Sequence, residues 1–110
     1  MFKLATSPVY FWPVSVSLPT DGGKFEKSTF DAQFKRIPQS RIDAIFRAED
    51  VKDEEVAREL LVGWRGVTDD SGEDVPFSEA AREQLFNVPG VRAAVIKSYL
   101  ESLAGAKQKN

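Results

Sequence analysis

The sequence predicts an α+β fold, an N-terminal β-hairpin followed by about four short α-helices in one small domain. Three observations predict it. Apolar and polar residues alternate in two early runs separated by Asp21-Gly22-Gly23, the pattern of two strands joined by a tight turn. From Ile42 onward the apolar residues recur at helical spacing instead. Glycine and proline then punctuate that second part at intervals suited to short helices.

In the first run, Val14, Val16 and Leu18 alternate with Ser15 and Ser17, which makes Tyr10–Leu18 a half-buried strand. Pro13 cannot donate to a ladder, so this strand is expected at a sheet edge or at a bulge. The return strand lies between Lys24 and Ile37, where Phe30, Ala32 and Phe34 alternate with Asp31, Gln33 and Lys35. Two strands are marginal alone, so their apolar face needs a third strand, a helix or another subunit. The hairpin is placed at residues 8–37 of a single 1–110 domain, the helical part at 39–105, and a fraying tail at 106–110.

A first helix follows Pro38-Gln39-Ser40, with Ser40 and Asp43 resembling a capping box and Ile42, Ile45 and Phe46 forming its apolar stripe. Asp53 is a good N-cap for a second helix, with Glu54 and Glu55 favourable in the first turn. Ala57, Leu60, Leu61 and Trp64 recur at i, i+3, i+4 and i+7, so this helix is expected to run to Trp64 and to end at Gly66. Trp64 is then expected at the centre of the helical core. Val67 to Ser78 leaves for solvent and returns through Val75, Pro76 and Phe77, a short turn or small hairpin closed by Val67 and Val75 around Ser71-Gly72. Ser78 caps a third helix bearing Ala81, Leu85 and Phe86. The last helix, Val91 to about Ala104, is apolar over a wide arc that includes Val95, Ile96, Tyr99, Leu100 and Leu103, and Gly105 stops it.

Composition narrows the function classes. The chain has 110 residues, 42% apolar and 29% charged, the balance of an ordinary globular protein with a modest core. It contains neither cysteine nor histidine, so disulfides, the commonest zinc ligands and the commonest acid–base residue are missing. No apolar run approaches the roughly 18 residues of a membrane span, and the N-terminus lacks a signal-peptide pattern. A cytoplasmic location follows as the default. In the Thr68–Ser78 loop, Gly72 and Asp69 could stand at the sixth and third positions of a calcium loop. Ser78 would then occupy the twelfth, where a bidentate Glu is required. With no nucleophile elbow, no phosphate-binding glycine loop and no metal-ligand cluster, the sequence predicts no enzyme, no cofactor and no metal.

Charge is uneven. Residues 1–47 carry +3, residues 48–110 carry −5, and residues 49–83 alone hold twelve acids against four bases. Such a belt can steer a basic partner. Phe30, Phe34, Lys35, Arg36, Arg41 and Arg47 interleave aromatics with bases, as in single-strand-binding faces. The aromatics, however, fall on the strand's buried face, and the net charge of −2 argues against nucleic acid. The apolar hairpin face (Trp12, Val14, Val16, Phe30, Phe34) and the arc of the last helix exceed what a thin core requires, which points to a homo-oligomer or another partner unless the two surfaces bury each other.

Several segments in fixed order resemble the tail assembly chaperones of long-tailed bacteriophages and prophages. They are Trp12-Pro13-Val14 with Pro19-x-Asp21-Gly22-Gly23, and Thr29-Phe30-x-Ala32-x-Phe34-Lys35-Arg36 with Pro38-Gln39-Ser40. Leu61-Val62-Gly63-Trp64-x-Gly66-Val67, Val75-Pro76-Phe77-Ser78, and Pro89-Gly90-Val91 with Tyr99 complete the set. The resemblance spans Tyr10 to Ala106. It implies a non-enzymatic factor of the bacterial host cytoplasm, absent from the mature virion, that coats the tape measure protein, keeps it soluble and helps recruit tail tube protein. In that family the second task often falls to a longer, frameshifted form. It carries over no catalytic residue. Gly63, Trp64, Gly66, Pro76 and Phe77 match its pattern and read as fold-defining. Candidate partner-binding residues are Tyr99, Leu100 and Leu103 on the last helix and Trp12 and Phe30 on the hairpin. Alternative readings are a minor tail or connector subunit of the particle and a small prophage nucleic-acid-binding regulator.

Overall fold

A computed structural model describes residues 1–4, 6–48 and 50–105. The expected fraying of residues 106–110 lies outside the described residues. Two long strands, β1 (Val9–Thr20) and β2 (Lys24–Lys35), form the predicted antiparallel hairpin. Gly22 and Gly23 close it with φ of +80° and +75°. The register pairs Val14 with Phe30 and Trp12 with Ala32. Because side chains alternate between faces, Tyr10, Trp12, Val14 and Val16 share one face with Phe30, Ala32 and Phe34. Val14, Ala32 and Phe34 on that face are wholly buried. Pro13 lies on the edge strand of the sheet, as its missing N–H requires.

The helical part differs from expectation at its second helix. Helix α1 (Gln39–Arg47) is followed by α2 (Asp53–Leu60), which stops four residues before Trp64. The chain then turns directly into a third strand, β3 (Leu61–Arg65), which completes an antiparallel sheet of order β1-β2-β3. Helical spacing from Ala57 to Trp64 was therefore the wrong period for the second half of that run. Two physical terms favour the strand. Glycine inside a helix costs about 1 kcal/mol relative to alanine, and β2 offers an unpaired edge for the β-prone Leu61-Val62-Gly63-Trp64. Gly63 also fits because Gln33 of β2 packs over it, where a Cβ would collide with the Gln33 side chain. Gln33 pairs with Gly63 and Phe34 with Leu61, so Val62 is the extra residue of a bulge. Gly66 does adopt φ +83°, but it ends a strand rather than a helix.

Two caps also move. The residue before α1 is Pro38, not Ser40, and no side chain caps it. Asp43 accepts instead from Gln39 Nε2 at 3.0 Å within the helix. Asp53 is the first residue of α2, and Lys52 is its N-cap. At the other end of α2, Arg82 Nη1 donates to the carbonyls of Arg58 and Leu61, both at 3.3 Å. It thereby occupies carbonyls that a helix end leaves open. Residues Val67–Val75 form the expected small hairpin. Val75 N–H donates to the Val67 carbonyl at 2.8 Å, and Asp69 Oδ1 accepts from the backbone of Ser71 and Glu73. Ser78 caps α3 (Glu79–Phe86) through Ala81 N–H at 3.0 Å. Helix α4 (Val91–Leu103) follows.

The core lies between the inner face of the sheet and α2 and α4, with Phe34, Ala57, Leu61 and Val95 at its centre. Hairpin and last helix thus bury each other in large part. Tyr99 is the pin. Its ring stands edge-on to Phe34 at 5.2 Å, while its hydroxyl donates to the Lys35 carbonyl at 3.1 Å and accepts from Ile37 N–H at 3.3 Å. Trp64 is half-buried on β3 rather than central to the helices. It packs edge-on against Phe77 at 4.9 Å and Phe30 at 6.5 Å, and its indole N–H donates to the Val75 carbonyl at 2.8 Å.

Candidate partner-binding site

Helix α1 is amphipathic yet buries no residue completely. Its stripe of Ile42, Ile45 and Phe46 is turned toward α2 and α4 but does not close on them. An apolar cleft of about 180 Å³ remains, lined by that stripe with Val51, Ile96 and Leu100 among others. Phe46 at its mouth is 65% exposed. Ile96, Leu100 and Leu103 are spaced i, i+4 and i+7, so the apolar surface continues along one side of α4. A shallower depression over Ile96, Leu100 and Ala104 adjoins the cleft, bordered by Asp53, Glu101 and Lys97.

Ion pairs hold the helices that frame the cleft. Arg41 of α1 makes a two-pronged contact with Glu59 of α2, with the shortest N···O distance 2.7 Å. The hydrogen bond from Arg41 holds the Glu59 carboxyl below the usual carboxylate range. Arg58 bridges α2 to Glu83 of α3 at 2.6 Å, and that hydrogen bond lowers the Glu83 carboxyl in the same way. Arg92 of α4 reaches Glu54 at 3.3 Å. Of the twelve acids in the 49–83 stretch, Glu54, Glu59 and Glu83 are thus engaged in joining helices. Among the described residues, no group of three or more His, Cys, Asp or Glu side chains converges as a metal site would require. Nor is any helix among them long and apolar enough to cross a membrane.

The structure separates the five candidate binding residues. Leu100 lines the cleft, and Leu103 is 47% exposed one turn further on. Tyr99 and Phe30 are buried in the core, and Trp12 is half-buried on the inner face opposite Ala32. Tyr99, although buried, also lines the floor of the cleft beside Leu100, whereas Phe30 and Trp12 lie apart from it. Of the residues read as fold-defining, Trp64 and Phe77 pack together, with the Arg82 guanidinium 5.8 Å from the Phe77 ring centre, while Gly63 and Gly66 face β2 and Pro76 is exposed. Ile42, Ile45, Phe46 and Ile96 were missed as site residues. Their stripe was legible, but an apolar stripe on a helix is ordinarily taken as covered.

A family model extends the comparison. It describes the YdaY prophage protein family and matches residues 27–109, from within β2 through every later element. The chain belongs to the YdaY prophage protein family. Neither a curated protein nor a solved structure matches the chain. The family match encloses all residues of the cleft, so the candidate site belongs to the part of the chain that is prophage-family sequence.

Proposed function

We propose that this prophage protein is a non-enzymatic tail assembly chaperone that receives a helical segment of the tape measure protein in the cleft between α1, α2 and α4. The observation that carries the reading is the open cleft, with Ile42, Ile45, Phe46 and Leu100 available to the apolar stripe of a partner helix. Recognition of an amphipathic helix in an apolar groove works through such a stripe, with anchors at i, i+3, i+4 and i+7. A cleft of this size holds one or two side chains, so each site binds weakly. Many copies along one long client would act through multivalency. The prophage family and the motif resemblance to tail assembly chaperones support the same reading. On this proposal the protein works in the host cytoplasm and is released before the virion matures. Recruitment of tail tube protein belongs to this role, either directly or through a longer frameshifted product.

Co-expression with the tape measure protein of the same prophage tests the proposal. The expected result is a soluble client that elutes with many copies of the chaperone. A client that remains insoluble with nothing bound, together with recovery of this protein in purified virions, would replace the reading with that of a particle subunit.

A further inference from the structure

The first four residues carry the most exposed apolar side chains of the described chain. Phe2 is 88% exposed and Leu4 98%. They lie at i and i+2, so in an extended segment both point to one side while Lys3 points to the other. This arm is rooted beside the cleft. Arg36 N–H donates to the Pro8 carbonyl at 2.9 Å and Arg36 Nε to the Ser7 carbonyl at 2.8 Å, and the next residue, Ile37, lines the cleft wall. One chain thus carries an exposed apolar arm and an open apolar cleft side by side.

We propose that the cleft of one copy receives the Phe2–Leu4 arm of a second copy, in a reciprocal two-fold exchange. Two features favour a second copy. The arm stands clear of its own cleft although its root adjoins it. A two-fold pairing that brings two cleft mouths together also brings both arms within reach, since five residues from Ser7 to Phe2 span up to ~17 Å when extended. The contact is small. Two arms in two clefts bury on the order of 1,000 Å² or less, which places the pairing among weak, concentration-dependent associations. The inference concerns the protein without its client, so it stands or falls separately from the chaperone reading.

The natural absence of cysteine makes the test direct. Leu4→Cys and Phe46→Cys are introduced into separate chains of different size, mixed, and oxidised by a glutathione couple. The expected product is a mixed disulfide dimer, formed at least about tenfold faster than between Leu4→Cys and Ser71→Cys, which lies on an exposed loop away from the cleft. The Phe2→Ser/Leu4→Ser double variant, altered only at exposed positions, should sediment as a monomer at concentrations where the natural chain shows a rising average mass. Equal rates with Phe46→Cys and Ser71→Cys would overturn the proposal. So would a chain carrying both Leu4→Cys and Phe46→Cys that closes an internal bridge while the separate chains do not cross-link, because the arm would then occupy its own cleft.

Discussion

Replacing Tyr99 by Phe removes one oxygen and leaves the ring, which makes it a clean probe of how α4 is pinned to the sheet. The ring contacts with Phe34 at 5.2 Å and Tyr10 at 6.3 Å survive. The hydrogen bonds to the Lys35 carbonyl and from Ile37 N–H are lost. Each is worth about 0.5–1.5 kcal/mol net, and the groups left behind are partly desolvated, so the change should cost about 1–3 kcal/mol. Urea denaturation measures this as a lower midpoint at unchanged slope. A second signature is its pH dependence. Burial pushes the Tyr99 hydroxyl above the ordinary tyrosine value. The associated stability is fully present below about pH 10 and is lost as pH rises through the higher folded-state value. The gap between the natural chain and Tyr99→Phe should therefore narrow on that climb. A loss under ~0.3 kcal/mol with no narrowing would refute the claim that a buried hydroxyl bridges β2 to the last helix.

Other consequences are local. Ser78→Ala removes the side-chain cap of α3 and should cost about 1 kcal/mol in the same denaturation assay. At Gly66→Ala the new methyl would meet only ordinary van der Waals contacts, with Phe30 Cα at 3.9 Å, but the residue must hold φ +83°, so a loss of about 1–2 kcal/mol is expected from backbone strain alone. Glu59 titrates below its ordinary value because Arg41 hydrogen-bonds to it, so its contribution is present above about pH 4.3 and is lost as pH falls through the lower folded-state value. Amide exchange in α1, which has no fully buried residue, should then accelerate on acidification before the sheet opens. Glu59→Gln should show that faster exchange already at neutral pH.

Much of this fold was legible where local chemistry decides it. Alternation around Val14 and Phe30 marked the two strands and their buried face, Asp21-Gly22-Gly23 set their turn, and Ser78 set the start of α3. The third strand was not legible, because Ala57, Leu60, Leu61 and Trp64 satisfy a helical stripe while Leu61–Arg65 is too short for period alone to arbitrate. What decided it was the free edge of β2, some thirty residues away (Ala32 pairs with Trp64). Leu100 was legible as part of the apolar arc of α4. The cleft it belongs to was not, since Ile42, Ile45 and Phe46 look like ordinary core until α1 is seen tethered by Arg41–Glu59 without closing on α4. Conversely, Phe30 and Tyr99 looked like spare apolar surface because pairing between the hairpin and the last helix links residues far apart in sequence.

The central claim is that the α1–α2–α4 cleft is where a helical client binds, and one comparison tests it most directly. Phe46→Asp places a charge at the mouth of the cleft, on a side chain already 65% exposed, so folding should be preserved. Phe25→Asp, 71% exposed near the tip of the hairpin, carries the same charge away from the cleft. Tape measure protein co-purifying with Phe46→Asp should fall about tenfold or more, consistent with loss of an interface anchor, while Phe25→Asp should retain it like the natural chain. Retention by Phe46→Asp, or equal loss from both variants, would contradict the assignment of this cleft as the binding site.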